Sequence, residues 1–466
     1  MLQEELGSLA LVRSQDFETI SAVQPLRRGQ HPRVLLLTSG LGLGHVRAAE
    51  AIKEALKSEA EVTTLDMWSL MNRGVAAVAH ATYLRVVQEH TDLYERLYQL
   101  NDQTWRQILE SEAGPPPQVL EVLELISDIA MKEAQVAPRG GRYATDRLLM
   151  LMLGVALPYE PENLAGNGVR ARLALMKWAW VRLIRRLELA IRRFRPDVIV
   201  STQMIPAAMT SYLKAKRKVR APMVGVITDF GVHDFWRQSG IDTYSLAHES
   251  LLESKLLPDR KVATGVPLMP NFLYPVSQVE ARRQLELPTE RPIVLVLGGG
   301  LGLSVDHAAA ELVREQANAH VVVLPGRNEA ARDALQALAA QHPGRLTVSG
   351  WTDRMDLYLR ACDVVVGKPG GISVAESLAC GRPLLASRSL GGQEGHNVNF
   401  LARHDVGGLI ADGKLLNHVM ELMRDRDRLQ SMQRRAWLLG RRDGARQVAD
   451  LTLEFVAGRR VAAAAR

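Results

Sequence analysis

A glycine turn followed by a predicted helix is the part of this sequence best suited to chemistry. The turn at 369–371 follows an apolar run at 364–366 and precedes a predicted helix at about 372–379. A strand–turn–helix unit of this kind leaves free backbone N–H groups at the helix N-terminus, where the helix dipole also favours an anion. We therefore predict a phosphate site here. The residues that would form it are Gly371, Ile372 and Ser373.

Side chains near this turn are suited to hydroxyl groups. Glu376 lies in the first turns of the predicted helix, and its carboxylate could accept hydrogen bonds from two adjacent hydroxyls, as on a ribose. An exposed helix glutamate is the alternative. A second glycine-rich loop at 391–395 follows the next apolar run and contains Gln393 and Glu394, whose amide and carboxylate suit polyols. The two segments together predict a pocket for a nucleotide sugar.

The elements that must position these residues follow an alternating β/α pattern. A chain of 466 residues is too long for one ordinary core, so two domains are expected. A buried strand at 33–38 leads into a glycine loop at 39–45 and a helix to about residue 58, and a second unit starts in the same way with 292–297 and the loop 298–304. Further apolar runs predict strands at 62–65, 197–202, 223–228, 244–247, 262–267, 321–324, 346–348, 364–366 and 384–386.

This pattern predicts an α/β fold made of two Rossmann-like domains that face a cleft. We expect a leader at 1–32 and an N-terminal domain at 33–272, with a helical insert at about 70–195. A C-terminal domain with terminal helices is expected at 273–466. The proline-containing stretch 268–290 is the expected linker.

Composition narrows the class of protein. The N-terminus has acidic residues where a signal peptide would have basic ones, and no run approaches the ~20 apolar residues that span a bilayer. The protein is therefore expected to be soluble or to lie on a membrane surface. Cys362 and Cys380 each lie beside an apolar run, which predicts buried, reduced thiols and a reducing compartment. No His/Cys cluster has metal-ligand spacing, and the DxD match at 425–427 lies in a charge-alternating helix.

Positive charge is concentrated in one predicted helix. The chain has a net charge of +7, and residues 170–195 alone contain nine basic residues and one acidic residue. One interpretation is the solvated face of a helix that covers the N-terminal sheet. Another is a surface attracted to anionic lipid headgroups. Nucleic acid is the least favoured partner, because no recognised nucleic-acid-binding fold accompanies the charge.

Motifs over most of residues 33–410 carry a resemblance to a known family. They are SGLGLGHVRAAEAI (39–52), YLRVVQEHTDLYERLYQLNDQTW (83–105), RPDVIVSTQMIPA (195–207), VITDFGVHDFW (226–236), TGVPLMPNF (264–272), LGGGLGL (297–303), PGRN (325–328), GWTDRMDLYLRACDVVVGKPGGISVAESLACGRPLL (350–385) and GGQEGHNVNFL (391–401). Together they resemble the monogalactosyldiacylglycerol synthase and processive diacylglycerol glucosyltransferase group. These enzymes share their C-terminal pattern with the MurG peptidoglycan glycosyltransferase.

The resemblance implies a GT-B arrangement of the two domains. It implies a UDP-sugar in the C-terminal domain, a lipid acceptor at the N-terminal domain, and inverting transfer without a bound metal or other cofactor. The stretch at about 111–168 looks longer and more irregular than the family pattern. Because this part of the family's N-terminal domain faces membrane and acceptor, the departure leaves the acceptor open.

The resemblance also assigns an acceptor side. It places His45 there, and we assign Gly42, Gly44 and His233 to the same side. A neutral imidazole can take the proton of an attacking hydroxyl, whereas a structural hydrogen bond at the helix start is the alternative for His45. Asp229 follows a strand at the sheet edge where open α/β sheets bind ligands. It is predicted to act as base or to orient His45 or the acceptor, with helix capping as the alternative.

Further residues are assigned to the donor. Gly299, Gly300 and Gly302 would let the backbone approach the donor or the cleft, or would serve only as a packing turn. The resemblance puts Arg327 and Trp351 at the border of a uracil pocket and Glu376 on the ribose. We assign Gln393 and Glu394 to the sugar hydroxyls and Asn397 to the phosphate side.

We therefore expect an inverting glycosyltransferase that moves a hexose from a UDP-sugar to a lipid such as diacylglycerol, in glycolipid synthesis. The protein would lie on the inner face of the cell membrane, with 170–195 on the anionic surface and no nucleic acid bound. Two alternatives stay open. One is a UDP-sugar epimerase of the same fold, and the other is a non-catalytic nucleotide-sugar sensor or scaffold.

Overall fold

A computed structural model gives the architecture of the chain. The residues it describes are 31–40, 43–71, 73–90, 92–93, 96, 125–126, 129, 132, 167–299, 302, 305–314, 319–387, 393–411 and 413–464. Residues 1–30 of the predicted leader, most of the predicted insert, Gly42 and Gly300 lie outside these ranges. Within them, two parallel six-stranded sheets carry helices on their faces, which confirms the predicted fold class.

The N-terminal sheet has the strand order β2-β1-β3-β4-β5-β6. Its strands are β1 (Arg33–Thr38), β2 (Glu61–Asp66), β3 (Val198–Ser201), β4 (Met223–Val226), β5 (Thr243–Leu246) and β6 (Lys261–Ala263). The helices of this half are α1 (Leu43–Leu56), α2 (Arg73–Glu89), α3 (Asn167–Phe194) and α4 (Met204–Ala215). Short 3-10 helices lie at Met67–Leu70, Asp234–Trp236, Glu249–Leu251 and Pro270–Leu273.

The C-terminal sheet has the order β12-β11-β10-β7-β8-β9. Its strands are β7 (Ile293–Leu297), β8 (His320–Leu324), β9 (Leu346–Val348), β10 (Val364–Gly367), β11 (Leu384–Ala386) and β12 (Gly407–Leu409). The following helices are α5 (Gln278–Gln284), α6 (Val305–Arg314), α7 (Glu329–Gln341), α8 (Met355–Ala361), α9 (Gly371–Ala379), α10 (Gln393–Arg403), α11 (Leu415–Arg424), α12 (Arg426–Leu439) and α13 (Gly444–Ala464).

Apolar strands form these sheets because both faces are covered. In β1, Leu35 and Leu37 pack in one core with the inner face of α3, whereas Val34 and Leu36 pack in another core with α1 and α13. The period-two alternation of side chains divides the strand between the two cores. Every strand predicted from 33 to 386 is present.

Helix α13 crosses back to the N-terminal sheet, although the sequence division placed all of 273–466 in the C-terminal domain. Val448 and Ala449 are fully buried in the core that contains Val34 and Leu36. An ion pair between Arg446 and Glu59 adds to the contact at its edge. The apolar face of this helix completes the N-terminal core, so the last helix joins the two halves.

The predicted linker also contains regular structure. Ser277 caps α5 by accepting a hydrogen bond from the Glu280 amide, and Arg282 of that helix is buried. The Arg282 guanidinium lies 2.8 Å from the Asp363 carboxylate at the start of β10. This ion pair attaches the segment to the C-terminal sheet, because an unpaired buried charge would be costly.

Two further predictions can be compared with the described residues. Both cysteines are free and buried, as predicted, and burial raises the pKa of the Cys362 and Cys380 thiols to about 12. Among the described helices, none combines the length and apolar character needed to cross a membrane.

The packing of α13 predicts a large effect at Val448, which has no exposed surface. Val448→Asp places an unpaired charge in the N-terminal core and should reduce the free energy of unfolding by about 3–5 kcal/mol. Thermal unfolding would measure the change. The matched control is Ala457→Asp on the exposed face of the same helix, where little change is expected. Equal melting temperatures for the two variants would contradict the packing of α13.

Candidate active site

The candidate site lies where the carboxyl ends of the two sheets meet. The turn before α9 packs directly against the backbone after β4: a Cβ added at Gly371 would lie 2.1 Å from the carbonyl oxygen of Thr228. At the start of α1, a Cβ added at Gly44 would lie 3.2 Å from Ile372 Cγ1. Hydrogen is the only side chain that fits at Gly371 in this arrangement. The glycines therefore let the two domains approach closely.

His45 lies in the first turn of α1, at this junction. Its Nδ1 lies 3.5 Å from the Thr228 hydroxyl, at the outer limit of a hydrogen bond, and its carbonyl accepts a hydrogen bond of 3.0 Å from Thr202 Oγ1. Burial lowers the pKa of the His45 imidazole, and the Asp229 carboxylate opposes that shift. A neutral imidazole is the form that can accept a proton.

Asp229 lies beside His45, and a hydrogen bond from the other domain fixes its carboxylate. Its Oδ1 accepts a hydrogen bond of 3.0 Å from Asn397 Nδ2 of α10. Burial raises the pKa of Asp229, whereas this hydrogen bond and the charges of His45 and Lys368 oppose the rise. The carboxylate is therefore placed to orient the imidazole or to stabilise its protonated form.

Glu376 lies further along α9, facing α1. Burial raises the pKa of Glu376 to about 8, while Arg47 of α1 opposes the shift and Asp356 adds to it. The Arg47 guanidinium also lies 5.3 Å from the centre of the Trp351 ring, and the Arg327 guanidinium lies 4.4 Å from that centre. The predicted ribose and uracil residues thus share one region, with Arg47 added from the N-terminal domain.

An ion pair marks the predicted sugar region. Lys368 Nζ, just after β10, lies 2.6 Å from Glu394 Oε1, and Glu394 is almost fully buried at the start of α10. Tyr83 of α2 lies close enough to the pair for both charges to act on its hydroxyl. Burial raises the pKa of Tyr83, Lys368 opposes the rise, and Glu394 adds to it. A glycosyl group here would meet a carboxylate whose charge is already balanced.

The structure does not bring every predicted residue into this cluster. His233 Nδ1 accepts a hydrogen bond of 3.1 Å from the Phe235 amide and caps a 3-10 helix. Gly299 has a left-handed backbone with open space beside it. By contrast, a Cβ at Gly302 would lie 2.2 Å from the Pro325 carbonyl oxygen, so the packing-turn interpretation applies there. Ser373 is partly buried in the first turn of α9, whereas the Gln393 side chain lies outside the described part.

Three residues of the cluster were absent from the predicted site. They are Arg47, Tyr83 and Lys368. Each lies inside one of the family motifs. Arg47 follows a glycine turn by a few residues, and Lys368 directly precedes another. A basic residue beside a glycine turn suited to phosphate is a sequence signal that could have identified Arg47 and Lys368. Among the described residues, no group of three or more His, Cys, Asp or Glu side chains could hold a metal ion.

The shifted pKa of Glu376 predicts a pH-dependent stability. The folded protein holds the carboxyl proton up to pH about 8, whereas the usual value is 4.5, so it binds more protons than the unfolded chain between these values. The contribution of Glu376 to the free energy of unfolding therefore falls as pH rises from about 4.5 to about 8. Glu376→Gln, which keeps a neutral side chain, should raise the melting temperature by roughly 2–4 °C at pH 8.

Little difference between Glu376→Gln and wild type is expected near pH 4, where most of the carboxyl is protonated in both the folded and the unfolded states. Glu421→Gln, at an exposed position on α11, is the matched control and should leave the melting temperature unchanged at both pH values. A Glu376→Gln variant that melts at the wild-type temperature at pH 8 would contradict the raised pKa.

Comparisons with known proteins show which families and folds this chain is similar to. Residues 170–267 match the family model of monogalactosyldiacylglycerol (MGDG) synthase, and residues 300–424 match that of glycosyl transferases group 1. The processive diacylglycerol beta-glucosyltransferase of Bacillus subtilis (strain 168) is 29% identical over 259 residues. That match covers 54% of this chain and 66% of the relative, slightly less than two thirds of its length.

Solved structures with low sequence identity share the fold. MurG of Acinetobacter baumannii superposes with a TM-score of 0.51 at 16% identity, covering 91% of this chain and 99% of that one. The glycosyltransferase of kitacinnamycin gives a TM-score of 0.51 at 15% identity, covering 92% and 100%. The resemblance seen in the motifs is confirmed: one segment of the chain matches the MGDG synthase model and another matches the group 1 glycosyltransferase model, on a fold like that of MurG.

Proposed function

We propose that this protein is an inverting glycosyltransferase that moves a hexose from a UDP-sugar to a lipid acceptor such as diacylglycerol. The observation that carries the proposal is the pairing of His45 and Asp229 against the N-terminus of α9, which begins at Gly371. A base and an anion-binding turn on opposite sides of one cleft suit the transfer of a group away from a diphosphate.

The proposed reaction is a single displacement. The acceptor hydroxyl attacks the anomeric carbon of the sugar and forms the new C–O bond, while its proton passes to the His45 imidazole. The bond from the anomeric carbon to the β-phosphate oxygen breaks, and UDP leaves with the electron pair. Attack opposite the leaving group inverts the anomeric configuration. Asp229 stabilises the imidazolium that forms.

Positive groups at the donor end stabilise the departing UDP. The free N–H groups and dipole at the start of α9 favour an anion, and Lys368 lies in the turn just before it. We propose that these groups, rather than a protein-bound metal, offset the charge. Glu376 would accept hydrogen bonds from the ribose, with Trp351 and Arg327 beside the base.

The acceptor assignment rests on the relatives. The Bacillus subtilis relative is named for diacylglycerol as its acceptor, and the MGDG synthase match at 170–267 includes helix α3. The exposed side of α3 carries Val181 and Leu189 among arginines such as Arg185 and Arg193. Apolar and cationic side chains together suit a bilayer with anionic headgroups. We therefore propose a peripheral position on the inner face of the cell membrane.

Two substitutions should separate the two ends of the reaction. His45→Ala removes the base, so transfer should fall by about 100- to 10,000-fold while the dissociation constant of UDP stays within about twofold. Glu376→Ala removes the proposed ribose contact, so UDP affinity should fall by about tenfold or more. Calorimetry with UDP and a radiolabelled transfer assay with liposomes measure the two quantities.

Exposed residues of the same types serve as controls for these variants. His307→Ala on α6 and Glu421→Ala on α11 should change neither UDP binding nor transfer. Unchanged UDP affinity in Glu376→Ala would refute the donor site. Sugar interconversion without lipid would identify an epimerase, and UDP-sugar binding without turnover at any lipid would identify a sensor.

The arginine face of α3 should govern membrane binding. Arg185→Gln with Arg193→Gln should weaken binding to vesicles rich in anionic lipid by about 25-fold, from about 1 kcal/mol per residue. Binding to neutral vesicles should not change, and added salt should reduce the difference. Arg426→Gln with Arg428→Gln, exposed on α12, is the matched control. Equal co-sedimentation of the two double variants with anionic vesicles would show that the arginines of α3 are only a solvated helix face.

A further inference from the structure

Asn397 is a fully buried amide with all of its groups engaged at the domain junction. Its Nδ2 donates hydrogen bonds of 3.0 Å to Asp229 Oδ1 and 3.0 Å to the Pro369 carbonyl oxygen. Its Oδ1 accepts a hydrogen bond of 2.7 Å from the Phe230 amide. The partners fix the orientation of the amide, because two of them are acceptors and the third is an N–H donor. The side chain has no exposed surface left for a donor phosphate.

The surroundings of Asn397 hold the two domains together. A Cβ added at Gly231 would lie 2.4 Å from His396 Cβ, next to Asn397 on α10. The rings of Phe230 and Phe400 are 4.4 Å apart across the same junction. Residues 228–231 of the N-terminal domain therefore lie flat against α9 and α10. Asn397 is the buried polar link in the middle of this contact.

We propose that Asn397 is a positioning residue through which the donor domain orients the Asp229 carboxylate toward His45. The proposal rests on the function proposed above and replaces the phosphate contact that the sequence assigned to Asn397. The acid–base pair is then complete only when the two domains are docked. An open cleft would separate Asp229 from its hydrogen-bond donor and leave the carboxylate without the contact that orients it toward His45.

The charge state of Asp229 depends on this hydrogen bond. Burial raises the pKa of Asp229, and the N–H from Asn397 is the largest effect that opposes the rise. Without that N–H, the protonated carboxyl persists to higher pH and cannot stabilise an imidazolium. Loss of the Asn397 amide should therefore shift the pH profile of transfer. Loss of packing alone would not cause such a shift.

The test compares Asn397→Ala and Asn397→Asp. Asn397→Ala should lower kcat by about 10- to 100-fold and move the acid limb of its pH profile to higher pH. Asn397→Asp places a second carboxylate against Asp229, so activity should fall as pH rises and the pair loses its shared proton. The two variants should thus respond to pH in opposite directions, whereas UDP affinity should stay within about twofold for both.

Asn399, exposed two residues along the same helix, supplies the matched controls. Asn399→Ala and Asn399→Asp should keep the wild-type kcat and pH profile. A second route avoids Asn397 itself: Gly231→Ala inserts a methyl group against His396 and should undock the same contact. If Asn397→Ala folds poorly, Gly231→Ala should still show the loss of kcat expected for Asn397→Ala.

Hydrogen–deuterium exchange of the full chain gives a readout that needs no turnover. The Phe230 amide donates to Asn397, so exchange at 228–231 should speed up in Asn397→Ala and not in Asn399→Ala. A tenfold loss of UDP affinity with unchanged exchange would make Asn397 a donor ligand and overturn the proposal. A kcat loss that is equal at every pH would overturn it too. Absence of transfer by wild type would refute the proposed function, while the exchange and UDP measurements would still decide the docking role.

Discussion

The close approach of backbone from both domains is the constraint on which the site depends. Gly371 allows α9 to rest against the Thr228 carbonyl, and Gly231 allows His396 to lie against the neighbouring loop. Parallel sheets direct the carboxyl ends of their strands to one edge, so two facing edges bring together residues that are far apart in sequence. A side chain at either glycine would separate the edges and move His45 away from the donor turn.

Burial at this junction sets the charge of the site. It lowers the pKa of His45 and raises the pKa values of Asp229 and Glu376, so burial favours the neutral form of each, although the hydrogen bond from Asn397 opposes this effect at Asp229. An incoming diphosphate therefore meets less negative charge than the number of carboxyl groups suggests. The cation Lys368 lies near Asp229, and the cation Arg47 lies near Glu376. The same desolvation that leaves the base unprotonated also favours an anionic donor.

Features with a local signal could be predicted from the sequence. The glycine turns, the apolar strands and the helix that carries Glu376 each depend on residues within about ten positions of one another. Strand β12 was missed because Gly407 and Gly408 have low strand propensity, and its pairing with β11 gives it order. Helix α13 has an apolar face that predicts burial, but its period does not say which core covers it. The two partners of Asn397 in the N-terminal domain, Phe230 and Asp229, lie 167 and 168 residues away, beyond any motif spacing.

The two ends of the cleft differ in how they are assembled. The proposed donor end comes mostly from one stretch, from Trp351 to Glu394, whereas the proposed base His45 and Asp229 come from distant segments of the N-terminal domain. The donor pocket keeps its shape when the domains move, but Asp229 then loses the hydrogen bond from Asn397. Because Asn397 belongs to the donor half, an open cleft retains a nucleotide pocket without a competent base. No base then activates the water that enters the open cleft, so this water does not attack a bound sugar.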